Sequence, residues 1–116
     1  LRRVAHICKM LNDQGIICIC SFMSRNDSLR NQVAEIIGKQ RFHLIYMDAD
    51  LEYCRQQRPE LYDLFDQGKT DNLPGLDLKY EIPSAPQIIF QPAALDSNIE
   101  KVLKYLDSKK IFPLKK

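Results

Sequence analysis

Stretches with apolar residues at helical spacing alternate along this chain with short unbroken apolar runs, and that alternation narrows the fold more than any other feature. Over residues 2–12, Val4, Ile7, Cys8 and Leu11 fall at the spacing of one buried helical stripe. Gly15 follows, where a left-handed cap costs a glycine least. Residues 16–20 are a continuous run rich in β-branched side chains, which suits a strand buried on both faces. Asn26 or Asp27 offers the next N-cap, and Leu29, Val33, Ile36 and Ile37 stripe a second helix that Gly38 stops. Residues 42–47 read as a second buried strand. Asp50 caps a helix as far as Gln57, Pro59 breaks it, and residues 60–67 resume a short helix ended by Gly68. Residues 87–90 are a third strand, and residues 97–108 a last helix with Ile99, Val102, Leu103 and Leu106 on one face. The expected fold is α/β, a parallel sheet with helices on both faces.

In such sheets ligands sit beyond the carboxyl ends of the strands. That rule singles out residues 21–25, 48–50 and 91–94. Residues 61–83 add a second feature, because connections in compact domains usually run to about 4–6 residues and longer ones tend to be binding loops. This stretch carries Gly68, Gly75, Pro74, Pro83, Tyr62 and Tyr80, and it can fold over the same sheet edge.

Composition removes several functions. At 116 residues the chain is one domain at most. It has 17 basic against 15 acidic residues, interspersed, with dense basic spots only at Arg2 and Arg3, Lys109 and Lys110, and Lys115 and Lys116. A nucleic-acid surface needs a basic stripe with aromatics in it, and none is visible. No apolar run approaches the ~18–20 residues of a membrane span, and no signal-peptide pattern is present. Cys18 and Cys20 alternate with isoleucines and would face one side of a strand, so with Cys8 and Cys54 they read as structural thiols in a reducing compartment. His6 and His43 complete no zinc set with them, and no metal ligands are assigned. Neither histidine has a nucleophile motif beside it.

Several motifs together resemble adenylylsulfate kinase. They are Arg2, Arg3 and Val4; Gly15, Ile16 and Ile17; Phe22, Met23 and Ser24; Arg30; Leu51, Glu52, Tyr53 and Cys54; Leu61 and Tyr62; Gly68; Asn72; Gly75, Leu76 and Asp77; Tyr80 and Glu81; and Pro83. The order and nearly the spacing of that family are kept from Leu1 to about Leu106. The resemblance implies a P-loop nucleotide-kinase fold that transfers the γ-phosphoryl group of ATP, with magnesium, to the 3′-hydroxyl of adenylylsulfate. It covers the carboxyl-terminal two thirds of the family's domain. The glycine-rich phosphate loop is absent, since Gly15, Gly38, Gly68 and Gly75 are scattered. The chain is therefore expected to be a fragment, residues 1–116 being the carboxyl-terminal part of one kinase-like domain that lacks the P-loop strand. In the family that strand lies between the strands matching residues 16–20 and 42–47, so the segment alone is expected not to be a stable monomer.

The resemblance also assigns residues. Arg2 matches an arginine that contacts adenylylsulfate, as suits a guanidinium facing phosphate or sulfate. Met23 and Ser24 match an Ile-Ser pair that meets the substrate, with Arg25 in place of the usual proline. Leu73 stands where a phenylalanine stacks on the adenine, and Asp71 where a lysine or arginine stands. In the lid, Gln57, Arg58 and Glu60 replace a longer Arg-Asp-Pro-Lys segment, and the family lysine has no counterpart. Gln91, Pro92 and Ala94 match the turn bordering the adenine of ATP. Gly75, Asp77, Tyr80, Glu81 and Pro83 are kept as shape residues, Tyr80 and Glu81 fixing the loop on the core. No catalytic residue is assigned. The implied partners are an adenine nucleotide and the amino-terminal segment of the same protein; the resemblance allows a homodimer and a cytoplasmic location. Two functions stay open: part of an adenylylsulfate kinase or close relative, or a non-catalytic kinase-like regulatory or nucleotide-binding module such as fungal ATP sulfurylases carry.

Overall fold

Local capping chemistry marks where two of the helices begin. In the computed structural model, which describes residues 1–111, Asn26 accepts a hydrogen bond from the Leu29 amide at 2.9 Å and Asp50 accepts one from the Tyr53 amide at 2.7 Å. The elements in chain order are α1 (Arg2–Asp13), α2 (Asp27–Ile37), β1 (Ile45–Met47), α3 (Leu51–Gln57), α4 (Pro59–Asp66), β2 (Ile88–Phe90) and α5 (Leu95–Ser108). Pro59 occupies the first turn of α4, where its missing N–H costs nothing. Lys115 and Lys116 lie outside the described residues. The elements sort into two units, one of Leu1–His43 with Asp71–Ala85, the other of Leu44–Thr70 with the stretch from Pro86 onward.

The first unit is built on α1 against α2, with Ala5 and Cys8 buried on α1. Gly38 ends α2 at φ 101°, a backbone conformation that L side chains rarely adopt. Residues 16–20 correct the expectation of a buried strand. They run without strand pairing, Ile19 is 97% exposed and Cys20 is exposed. The reason is that a strand is completed by a neighbour's ladder, and among the described residues none lies beside this segment. Its alternation nevertheless survives, because Cys18 and Cys20 both approach Cys8 on α1.

The second unit contains the sheet. β1 and β2 pair in parallel, with Ile45 opposite Ile88 and Met47 opposite Phe90. The parallel sense is the expected one, but the described sheet has two strands rather than three. Both are shorter than the apolar runs that carry them. Ile88 is buried, whereas Ile45 and Met47 of β1 are exposed, so β1 is not buried on both faces. α5 packs against β2, and α3 against α4. The second helix pair is pinned by Arg55, which makes two hydrogen bonds to Asp66 at 2.9 and 3.2 Å and lies 5.0 Å over the ring of buried Tyr62.

Candidate functional site

In the first unit, the start of α2 gathers the far end of the long loop. Arg30 is 3% exposed, and a buried guanidinium must place its donors. Its Nε donates to Asp27 Oδ1 at 2.9 Å, its Nη2 to the Glu81 carbonyl at 2.6 Å and its Nη1 to the Ser24 carbonyl. The Tyr80 ring lies 5.9 Å from the same group. Glu81 reciprocates: its amide donates to the Arg25 carbonyl at 2.8 Å, and its carboxylate accepts from the Asp27 amide at 3.1 Å. The Asp27 carboxylate takes the Ser84 amide at 3.2 Å. The bonds from Ser84 and then from Arg30 hold that carboxyl below its ordinary range. Tyr80 and Glu81 thus fasten the loop to the segment that carries Ser24 and Arg25.

The loop's own shape comes from Asp77, whose two oxygens accept the Asn72 and Leu73 amides, each at 2.8 Å. These bonds, Asn72's first, hold the Asp77 carboxyl below the usual value. Asn72 takes φ 62° and Gly75 φ 84°, the left-handed region in which asparagine and glycine are tolerated best. Inside the turn Leu73 is 9% exposed. It lies folded inward, whereas Met23 is 52% exposed. Ser24 has φ 36°, an unusual value for a residue with a side chain. Its carbonyl is held by Arg30, so the backbone strain sits at an expected substrate contact. An open cavity of about 400 Å³ beside this junction is lined by Arg25, Asn26, Ser28, Lys79 and Glu81. Arg2 belongs to the same unit and is exposed at the first residue of α1.

The second unit holds the remaining expected residues. At the carboxyl ends of the paired strands, the Asp48 amide donates to the Phe90 carbonyl at 3.0 Å and Gln91 Nε2 reaches Asp48 Oδ2 at 3.4 Å. Gln91 is held by Asn98, 4% exposed, which accepts from the Gln91 amide at 3.1 Å and donates to its carbonyl at 2.7 Å. Pro92 and Ala94 form the turn that follows, with Ala94 preceding α5 as its N-cap residue. Gln57 ends α3, and between α3 and α4 Arg58 Nε donates to Glu60 Oε1 at 2.8 Å. That bond lowers the Glu60 pKa below its usual value. The pair is exposed, at 67% and 65%, so the cation expected in the lid is matched by an anion two residues away.

Two organising residues were not legible as such. Arg30 entered only as one letter of a motif, with nothing to mark it as buried. Asn98 had a usable signal, since it interrupts an otherwise apolar stripe one turn before Val102, and a polar residue there points to a buried hydrogen-bond partner. Among the described residues no group of three or more His, Cys, Asp or Glu side chains is placed to hold a metal. Magnesium bound to nucleotide usually takes one or two carboxylates plus phosphates and water, so such a cage is not what that ion requires. No helix among the described residues is long and apolar enough to cross a membrane.

Comparison with known proteins places the chain in a family. Residues 1–91 match the family described as adenylylsulphate kinase. An adenylyl-sulfate kinase from Staphylococcus carnosus is 30% identical, the alignment covering 96% of this chain and 57% of that protein. One from Clostridium kluyveri is 32% identical over 94% of this chain and 56% of its own length. The bifunctional enzyme CysN/CysC of Rhodopirellula baltica is 30% identical over 93% of this chain and 16% of itself. The chain thus spans little more than half the length of these two adenylyl-sulfate kinases.

Proposed function

The chain belongs to the adenylylsulphate kinase family, and on that premise we propose that it is the carboxyl-terminal part of an ATP-dependent kinase acting on the 3′-hydroxyl of adenylylsulfate. The observation that carries this reading is the Arg30 junction, because it uses the family's shape residues to hold a substrate-sized loop beside a strained Ser24. In this reading Arg2 faces the phosphate or sulfate of the substrate, and the Met23 backbone and Ser24 hydroxyl orient the nucleoside. Leu73 packs beneath the base through the small part of its surface left exposed. Gln91, Pro92 and Ala94 border the adenine of ATP, with Asn98 fixing Gln91. ATP and magnesium supply the transferred group and its charge neutralisation. The phosphate loop and its strand belong to an amino-terminal segment of the same domain. The working protein is cytoplasmic and is compatible with a homodimer.

Phosphoryl transfer depends on positioning and on cations at the transferring group. Pairing of Arg58 with Glu60 therefore favours a second reading, a kinase-like module that binds nucleotide and regulates a partner domain. The assay is transfer of labelled γ-phosphate from ATP to adenylylsulfate by the whole protein. Turnover to the 3′-phosphorylated product supports the kinase. Nucleotide binding without turnover establishes the regulatory module instead. The 116-residue chain by itself is expected to be inactive.

A further inference from the structure

The cavity of about 400 Å³ beside the Arg30 junction, lined by Arg25, Asn26, Ser28, Lys79 and Glu81, is rich in unspent donors. Arg25, Ser28 and Lys79 are exposed. Among the described residues the Arg25 and Lys79 side chains make no hydrogen bond or ion pair, so both charges stand unmatched. Asn26 spends its side-chain oxygen on the Leu29 amide at 2.9 Å, which leaves its Nδ2 free to donate. The Ser28 hydroxyl adds a further donor. Glu81, the one carboxylate in the lining, already accepts the Asp27 amide at 3.1 Å. Asp27 itself is occupied by Arg30 at 2.9 Å and the Ser84 amide at 3.2 Å. Two cations against one carboxylate leave the lining net positive. Arg25 also directly follows Ser24. The strand that the amino-terminal segment adds lies beside residues 16–20, whereas this cavity lies past their carboxyl end, on the side where parallel sheets bind ligands. The site therefore does not depend on that segment being unpaired.

We propose that Arg25 and Lys79 hold the phosphosulfate group of adenylylsulfate in this cavity and so determine specificity for the anionic end of the substrate. The assignment rests on the kinase reading above and deepens it. An ionised phosphate or sulfate presents only acceptors, so a donor-rich, net positive lining fits it. Arg25 offers paired, planar N–H groups to two oxygens at once, and Lys79 adds a point charge on a flexible stem. Asn26 and Ser28 supply neutral donors to the remaining oxygens. Arg25 stands where the family has a proline, and Asp71 where it has a lysine or arginine. A cation missing from the loop is thus regained beside Ser24.

The test is isothermal titration of the whole protein with adenylylsulfate, ATP and inorganic sulfate in turn. Replacing both cations, Arg25→Gln with Lys79→Gln, is expected to weaken adenylylsulfate roughly tenfold or more while ATP binds as before. Neither side chain has a partner whose loss would unfold the chain, and retained ATP binding checks that. Arg25→Lys, which keeps the charge, should recover part of the affinity. Added salt should weaken adenylylsulfate more steeply in the unaltered protein than in the double variant, because two of the screened charges are gone. Equal affinity for adenylylsulfate in the two proteins would overturn the proposal and leave the kinase reading standing. An equal loss for ATP, or the same salt dependence in both, would overturn it as well. Inorganic sulfate bound by the unaltered protein and lost in the double variant, without any binding of adenylylsulfate, would overturn the kinase reading and the substrate named here, keeping the anion site.

Discussion

Arg30 joins three stretches of the first unit through one planar group, and a lysine cannot copy that. Its three donors serve Asp27 and the carbonyls of Ser24 and Glu81, whereas an ammonium is a point charge on a flexible stem. Removing one partner of a buried charged network typically costs roughly 3–5 kcal/mol, mostly from groups left unpaired. Arg30→Met in the whole protein is therefore expected to lower the unfolding free energy by an amount of that size, read as a fall in the urea midpoint at unchanged slope, and Arg30→Lys to recover only part of it. A midpoint unchanged in Arg30→Met would show that water replaces the guanidinium at no cost. The carboxylates around this junction set a pH dependence. Asp27 and Asp77 have folded pKa values below their ordinary ones, so the folded state binds protons more weakly than the unfolded chain. Their stabilisation is complete above the unfolded value of about 3.9 and is lost as pH falls through the folded values. Chemical unfolding midpoints should fall as the solution is taken below about pH 4, and Asp77→Asn should flatten that slope.

At the scale of elements, the union of β2 with α5 rests on Asn98, which satisfies both backbone groups of Gln91. Asn98→Ala leaves the Gln91 amide and carbonyl to water, a loss of about 0.5–1.5 kcal/mol for each hydrogen bond removed. Because the same bonds hold the turn bordering the proposed adenine site, the variant is expected to raise the KM for ATP more than it lowers kcat. Equal effects on both would assign Asn98 a purely structural role. The helices were legible in the sequence because their signals are local: Asn26 and Asp50 cap at the expected places, and Pro59 divides α3 from α4. Strands are completed by partners distant in sequence, so an apolar run alone did not reveal that residues 16–20 lack one. The site was legible as motif and illegible as geometry. Gly75, Asp77, Tyr80 and Glu81 were visible, but nothing in their letters showed that Arg30 binds the Glu81 carbonyl or that Leu73 folds inward.

Across the whole molecule, the decisive quantity is how little apolar surface the described residues hide. The buried apolar residues among them are Ala5, Cys8, Tyr62, Leu73, Pro83 and Ile88, and no large side chain is fully buried. In the first unit Ile7, Met10, Ile16, Ile17, Ile19, Phe22 and Met23 remain exposed; in the second, Met47, Leu51, Ile89, Leu95 and Ile99 do. Fixing each residue's backbone costs about 1–2 kcal/mol, and burial returns only about 25 cal/mol per Å² of apolar surface. A pair of three-residue strands adds little, since two-stranded sheets are marginal in water. The isolated 116-residue chain is therefore expected to show a shallow, non-cooperative thermal transition and to bind a dye specific for exposed apolar surface. It should also associate through residues 16–20, whose unpaired backbone and exposed isoleucines offer an edge for pairing. Ile19→Lys places a charge on that edge and should reduce the association without making the melt sharper, because it adds nothing to the core. A sharp two-state melt of a monomer, by calorimetry and light scattering together, would show instead that these helices and their two-stranded sheet suffice to fold.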